Sequence, residues 1–172
     1  MNVLSREQFS AILKEQRVKS RLSRELRFFP EEIENWANLD MLAIGTRSGN
    51  EGLLLIQMES FYIISYELTT KIMTNTGRSK PITCDLCYTW HIGGKSGRIT
   101  FRRTNDNHTF TFLCCGDLRC SLHVRDMTQE SVLSRAQLHE DISTEQRVAR
   151  QKKKLINLID ILNIQPIMVS GR

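Results

Sequence analysis

The chain has 172 residues, a formal net charge of +5, 40% hydrophobic side chains and 25% charged ones, a balance ordinary for one globular domain with a small helical appendage. Its longest apolar runs, such as Leu53-Leu54-Leu55-Ile56, are far too short to span a bilayer as a helix. The opening Met1-Asn2-Val3-Leu4-Ser5-Arg6-Glu7 lacks the apolar core of a signal peptide, so a cytoplasmic location with reduced thiols is expected. The charge is unevenly spread: residues 28–70 sum to −6 and residues 71–125 to +6. A strongly cationic segment favours an acidic protein surface or nucleic acid as partner.

Ser5-x-x-Gln8 has capping-box form, and Phe9, Ile12, Leu13, Leu22 and Leu26 follow it. This predicts one long amphipathic helix ending before Pro30, its basic side chains (Lys14, Arg17, Lys19, Arg21, Arg24) mostly solvated. Pro30-Glu31-Glu32 reads as a second helix start, with Ile33, Trp36 and Ala37 as its apolar face. A strand is expected over 39–44 and a turn at Ser48-Gly49-Asn50. Two neighbouring strands, 52–56 and 60–68, follow.

All five cysteines fall between Cys84 and Cys120. They form Cys84-Asp85-Leu86-Cys87 and, some thirty residues on, Cys115-Gly116-Asp117-Leu118-Arg119-Cys120, with Cys114 beside the second motif. Two short-spaced pairs of thiolates can close a tetrahedral shell around one Zn²⁺, a soft-ligand site that a reducing compartment leaves free of disulfides. Spacing alone favours Cys115 for the second pair; on a strand Cys114 should face the other way. Gly94-Lys95-Ser96 suggests a phosphate loop, but Thr89 stands where the loop's first glycine belongs and no apolar strand leads into it. A hairpin is expected from strands 98–103 and 108–113 joined by a turn at 104–107, carrying Cys115 back to the first pair. A short helix should run from Cys120 to Arg125, and 126–142 should be loop. Ser143-x-x-Gln146 opens a last helix with Val148, Leu155, Ile159 and Leu162 on one face and a basic patch of Arg150, Lys152, Lys153 and Lys154. The expected class is α+β: a small antiparallel sheet with a Cys₄ finger, flanked by amino- and carboxy-terminal amphipathic helices that pack on each other. The expected layout is 1–28 helical segment, 29–142 α/β zinc-finger domain, and 143–172 helix and tail on the amino-terminal segment.

Cys84, Leu86, Cys87, Thr89 and His91, the basic strand at Arg102-Arg103, and Cys115, Asp117, Leu118, Cys120, Ser121, Leu122 and Arg125 together resemble the elongation factor G-binding (FBP or FusB-type) proteins. Trp36-x-x-Leu39-Asp40-x-Leu42 and Glu145-x-x-Val148-x-Arg150 are similar as well, so the resemblance spans roughly 30–162. It implies a carboxy-terminal treble-clef zinc finger and selects Cys115 over Cys114, giving Cys84, Cys87, Cys115 and Cys120 as ligands of one structural Zn²⁺. It also implies binding to elongation factor G and release of that factor from the ribosome, including where fusidic acid has trapped it. The amino-terminal helical part is shorter than in the resistance proteins.

A Cys₄ centre has no open coordination position, and His91, His108, His123 and His139 lack acidic or nucleophilic neighbours in motif-like spacing. A non-enzymatic protein is expected. Arg102, Arg103 and Arg125, with Tyr88, Trp90 and His91 near the first pair, are the expected partner-binding residues. The expected partner is elongation factor G, with the ribosome or RNA as further partners, no membrane, and a monomeric chain. The competing readings are an RNA-binding zinc module, which the +6 segment would also suit, and a non-catalytic adaptor.

Overall fold

A computed structural model describes residues 1–16, 18–70, 81–103, 105–106 and 108–167. Arg17, residues 104 and 107 of the expected turn, and the expected tail beyond 167 lie outside the described residues.

The centre is a five-stranded antiparallel sheet in the order β1-β2-β3-β6-β7, formed by β1 (Met41–Gly45), β2 (Glu51–Gln57), β3 (Phe61–Thr69), β6 (Ser96–Arg102) and β7 (Thr109–Cys115). A two-stranded ribbon, β4 (Ile82–Thr83) and β5 (Trp90–His91), stands apart. The period-2 pattern sets the pleat: Leu53 and Leu55 face one side of β2, Leu54 and Ile56 the other. All four are buried, so both faces of this strand need a cover.

The two covers come from opposite ends of the chain. α1 (Arg6–Glu15) and α2 (Ser20–Glu25) bring Phe9, Ile12, Leu13 and Leu22 onto Ile44, Leu53, Leu55, Phe61 and Ile63. α5 (Thr144–Leu162) brings Leu155, Leu158, Ile159 and Leu162 into a second cluster with Met41, Leu54, Ile56, Ile64 and Tyr66. The α+β sheet with terminal helices is therefore as expected, but the helices do not pack on each other. They join separate clusters divided by the sheet, because an apolar run four residues long leaves two faces to bury, not one. Only beyond α5 does the chain reach the first cluster, where Ile167 N–H donates to Phe61 O at 2.7 Å.

The single long amino-terminal helix is also replaced, by α1 and α2. Nine residues separate Leu13 from Leu22, about 2.5 turns at 3.6 residues per turn, so on one continuous helix they would point opposite ways. The break lets both become buried. Pro30–Glu32 and Trp36–Asn38 form short 3-10 turns where a helix start was expected.

The stretch 126–142, expected as loop, holds α4 (Gln129–Leu138), capped by Thr128 Oγ1, which accepts from Ser131 N–H. Its inward face is Ser131 and Ser134 instead of an apolar stripe, and Ser134 Oγ accepts from Trp90 N–H at 2.8 Å. Asp126 joins this helix to α5: its carboxylate accepts from both guanidinium nitrogens of Arg147, one at 2.7 Å, and from Arg135 at 2.5 Å.

Tyr66 is buried over two glycines that face each other across β1 and β2, Gly45 and Gly52. A Cβ on Gly52 would lie 2.3 Å from Ile44 O and 2.6 Å from the Tyr66 hydroxyl. Gly52→Ala is expected to destabilise the protein by about 1–3 kcal/mol, read from the urea midpoint; an unchanged midpoint would reject this close fit.

The Arg147 hydrogen bond holds the Asp126 carboxyl below its ordinary value, against a smaller opposing effect of burial. The stability from this link is complete above the unfolded-state value near 3.8 and is lost as pH falls through the lower folded value. The stability gap between wild type and Asp126→Asn is therefore expected to shrink below pH ~4. A gap that stays constant into acid, in denaturation measured across pH, would contradict it.

Candidate metal centre

The two cysteine pairs reach one point through different local structures. Cys84 and Cys87 sit on the turn between β4 and β5, closed by Tyr88 N–H donating to Cys84 O at 2.8 Å and Cys84 N–H to Thr89 O at 3.0 Å. Tyr88 adopts φ +63°, the left-handed conformation that tight turns demand and that a bulky residue adopts at a cost. Cys115 ends β7, Leu118 turns the chain with φ +54°, and Cys120 opens α3 (Cys120–His123). Asp85 docks the first pair on the edge of β7: its N–H donates to Leu113 O at 2.9 Å, and its carboxylate accepts from Leu113 N–H at 2.7 Å.

All four sulfurs are buried and lie within 4.8 Å of one another. Cys84 Sγ to Cys120 Sγ is 3.8 Å, Cys115 to Cys120 is 3.7 Å, and Cys87 to Cys115 is 3.3 Å. A tetrahedron with Zn–S bonds of about 2.3 Å has edges of about 3.8 Å. The separations fit that edge and are far beyond the ~2.05 Å of a disulfide. Electrostatics point the same way. Burial opposes ionisation of Cys84, yet hydrogen bonds from its sulfur neighbours pull its pKa well down, while burial first and those neighbours second push Cys115 well up. Cys114 is fully buried and pushed up by burial, packed toward Gly97 and Leu68 rather than toward the other sulfurs.

Donors surround the thiols. Leu86 N–H donates to Cys84 Sγ at 3.4 Å and His91 Nε2 lies 3.0 Å from Cys115 Sγ, while Thr89 Oγ1 accepts from Cys87 Sγ at 3.2 Å. Burial, with His123 nearby, lowers the His91 pKa. His123 is fully enclosed between Thr128 and Asp117, and Asp117 stays ionised despite its own burial because His123 bonds to it. Ser121 ties the centre to the sheet: Oγ accepts from the N–H groups of Asp40 and Met41 and donates to Met41 O.

Of the six residues expected to bind a partner, two keep a surface role. Arg102 is exposed at the far end of β6, and Arg103 lies beside it, half-buried over the Phe110 ring and paired with Asp106 at 3.3 Å. The others have internal work. His91 is buried against Cys115, and Arg125 donates to Asp40 at 2.7 Å and to Ser121 O at 2.9 Å. Trp90 is half-buried beside α4, and Tyr88 lies under Arg150 and Lys154, whose charged groups are 4.2 Å and 5.3 Å from its ring centre. Arg150 and Lys154 of the basic patch on α5 are thus engaged with Tyr88, while Lys152 and Lys153 are exposed. Of Cys87-x-Thr89-x-His91, His91 is expected at the partner surface, but the structure places it against the sulfur of Cys115.

The fold and cysteine geometry define a treble clef, in which a knuckle, a hairpin strand and a helix start converge on one metal. The profile of the FBP C-terminal treble-clef zinc-finger family matches residues 13–162, and the chain belongs to that family. No curated protein and no solved structure matches the chain. No described helix is long and apolar enough to cross a membrane.

Purified protein is expected to carry about one zinc per chain, with Cys120→Ser losing the metal and Cys114→Ser retaining it in elemental analysis. Equal metal content in the two variants would overturn the ligand set.

Proposed function

We propose that the chain binds elongation factor G, the ribosomal translocation GTPase, and that Cys84, Cys87, Cys115 and Cys120 hold one structural Zn²⁺ that keeps the binding surface rigid. The observation that carries this reading is the family match over 13–162, together with four buried sulfurs at tetrahedral spacing. A Cys₄ shell is coordinatively full, so the metal acts by fixing geometry and not by activating water. Release of the factor from the ribosome, the activity of the fusidic acid resistance proteins, would follow if the bound factor no longer fits its ribosomal site.

The recognition residues we assign are Arg102 and Arg103, at the end of the hairpin strand that begins beside the metal. Arg102 is exposed and has its backbone held in the β6–β7 ladder opposite Thr109. Positive charge on a braced strand steers an acidic partner and anchors it on arrival.

Immobilised protein is expected to retain purified elongation factor G with total RNA present as competitor. Arg102→Glu with Arg103→Glu should weaken that retention at least tenfold, about 1.4 kcal/mol, while leaving the melting temperature and zinc content unchanged. Retention of RNA in place of the factor, falling steeply with salt, would move the reading to a nucleic-acid module.

A further inference from the structure

A fifth buried donor stands beside the sulfur cluster. His91 is only 3% exposed, its Nε2 is 3.0 Å from Cys115 Sγ, and its Nδ1 is buried with no hydrogen-bond partner. The residue lies on β5 opposite Ile82 of β4, the ribbon whose turn carries Cys84 and Cys87. Its ring therefore belongs structurally to the first cysteine pair, although it touches a sulfur of the second. His123 differs in every respect that matters: Nδ1 is 2.6 Å from Thr128 Oγ1 and Nε2 is 3.1 Å from Asp117 Oδ1, so both nitrogens are spoken for.

We propose that His91 is a reserve ligand of the metal centre. When the Cys115 thiolate is lost, His91 Nε2 takes the fourth position, and the shell becomes Cys84, Cys87, Cys120 and His91. This rests on the zinc reading above. Three cysteines and one histidine form a common structural zinc set. The ring has no hydrogen bond at Nδ1 to break as it advances, and coordination through Nε2 requires only that the ring proton move from Nε2 to Nδ1, which is free to take it. While Cys115 is present, the Nε2–H donates to its sulfur and offsets part of the charge of a four-thiolate shell. The reserve is specific to one cysteine. Among the described residues, the four sulfurs group with one another, and only Cys115 also groups with histidines, His91 and His123.

Cobalt(II) replaces zinc in such sites and reports its ligands by absorption. Wild type, Cys115→Ala, Cys120→Ala and the double variant Cys115→Ala with His91→Ala are each refolded with cobalt(II), and zinc content is measured in parallel. Wild type should show the four-thiolate spectrum. Cys115→Ala should keep one metal, with ligand-field bands at higher energy, weaker thiolate charge transfer, and affinity reduced by about 10–100-fold. The double variant and Cys120→Ala should lose the metal. A metal-free Cys115→Ala, folded or not, overturns the proposal, as does a Cys115→Ala spectrum that His91→Ala leaves unchanged. Metal-free wild type would sink the zinc reading itself.

Discussion

Four sulfur atoms from two distant segments must share one buried point, and the arrangement of the molecule follows from that requirement. The cysteines are not an appendage beside the sheet. They belong to the same buried cluster as Leu54, Ile56 and Phe101 of the sheet and Leu155, Leu158 and Leu162 of α5. A buried thiolate is tolerable only with a cation and with hydrogen bonds to its remaining lone pairs, and Leu86 N–H and His91 Nε2 are placed to supply them. A metal bound at these sulfurs would thus couple its binding to core formation on this side of the sheet.

Around that point the charged residues act mostly as ties. Asp40 receives Arg125 and, at 3.5 Å, Lys152, which links the start of β1 to α3 and to α5. Asp126 collects Arg147 and Arg135 and so links α5 to α4. Arg150 pairs with Glu140 while lying over Tyr88, which closes the first cysteine turn. The Asp40 ties join elements far apart in sequence, and the others hold α4 and α5 together.

The parts of this architecture that depend on local pattern could be read from the residues. Apolar and aromatic enrichment in 52–56 and 60–68 marked β2 and β3, two capping boxes marked α1 and α5, and the cysteine spacing marked the metal site. What depends on tertiary partners could not. α4 has no apolar stripe because its buried side chains are serines bonded to neighbours, so periodicity passed over it. Both terminal helices are amphipathic, and nothing in either says whether its apolar face meets the other helix or an opposite side of the sheet. His91 and Arg125 look alike in sequence whether they face solvent or hold the core together.

The hairpin gives the metal a reach it would not otherwise have. Ser96 and Cys115 pair at one end of β6 and β7, and Arg102 and Thr109 pair six residues along, about 20 Å away at ~3.3 Å per residue. The ribbon is anchored at the sulfur cluster and braced along β6 by β3, from Thr69 opposite Arg98 to Tyr66 opposite Phe101. A tilt of about 5° at the base swings the far end by about 2 Å, enough to take a guanidinium out of register with a carboxylate. The tolerance of the tip is thus shared between the sheet that flanks it and a cluster of sulfurs it never touches.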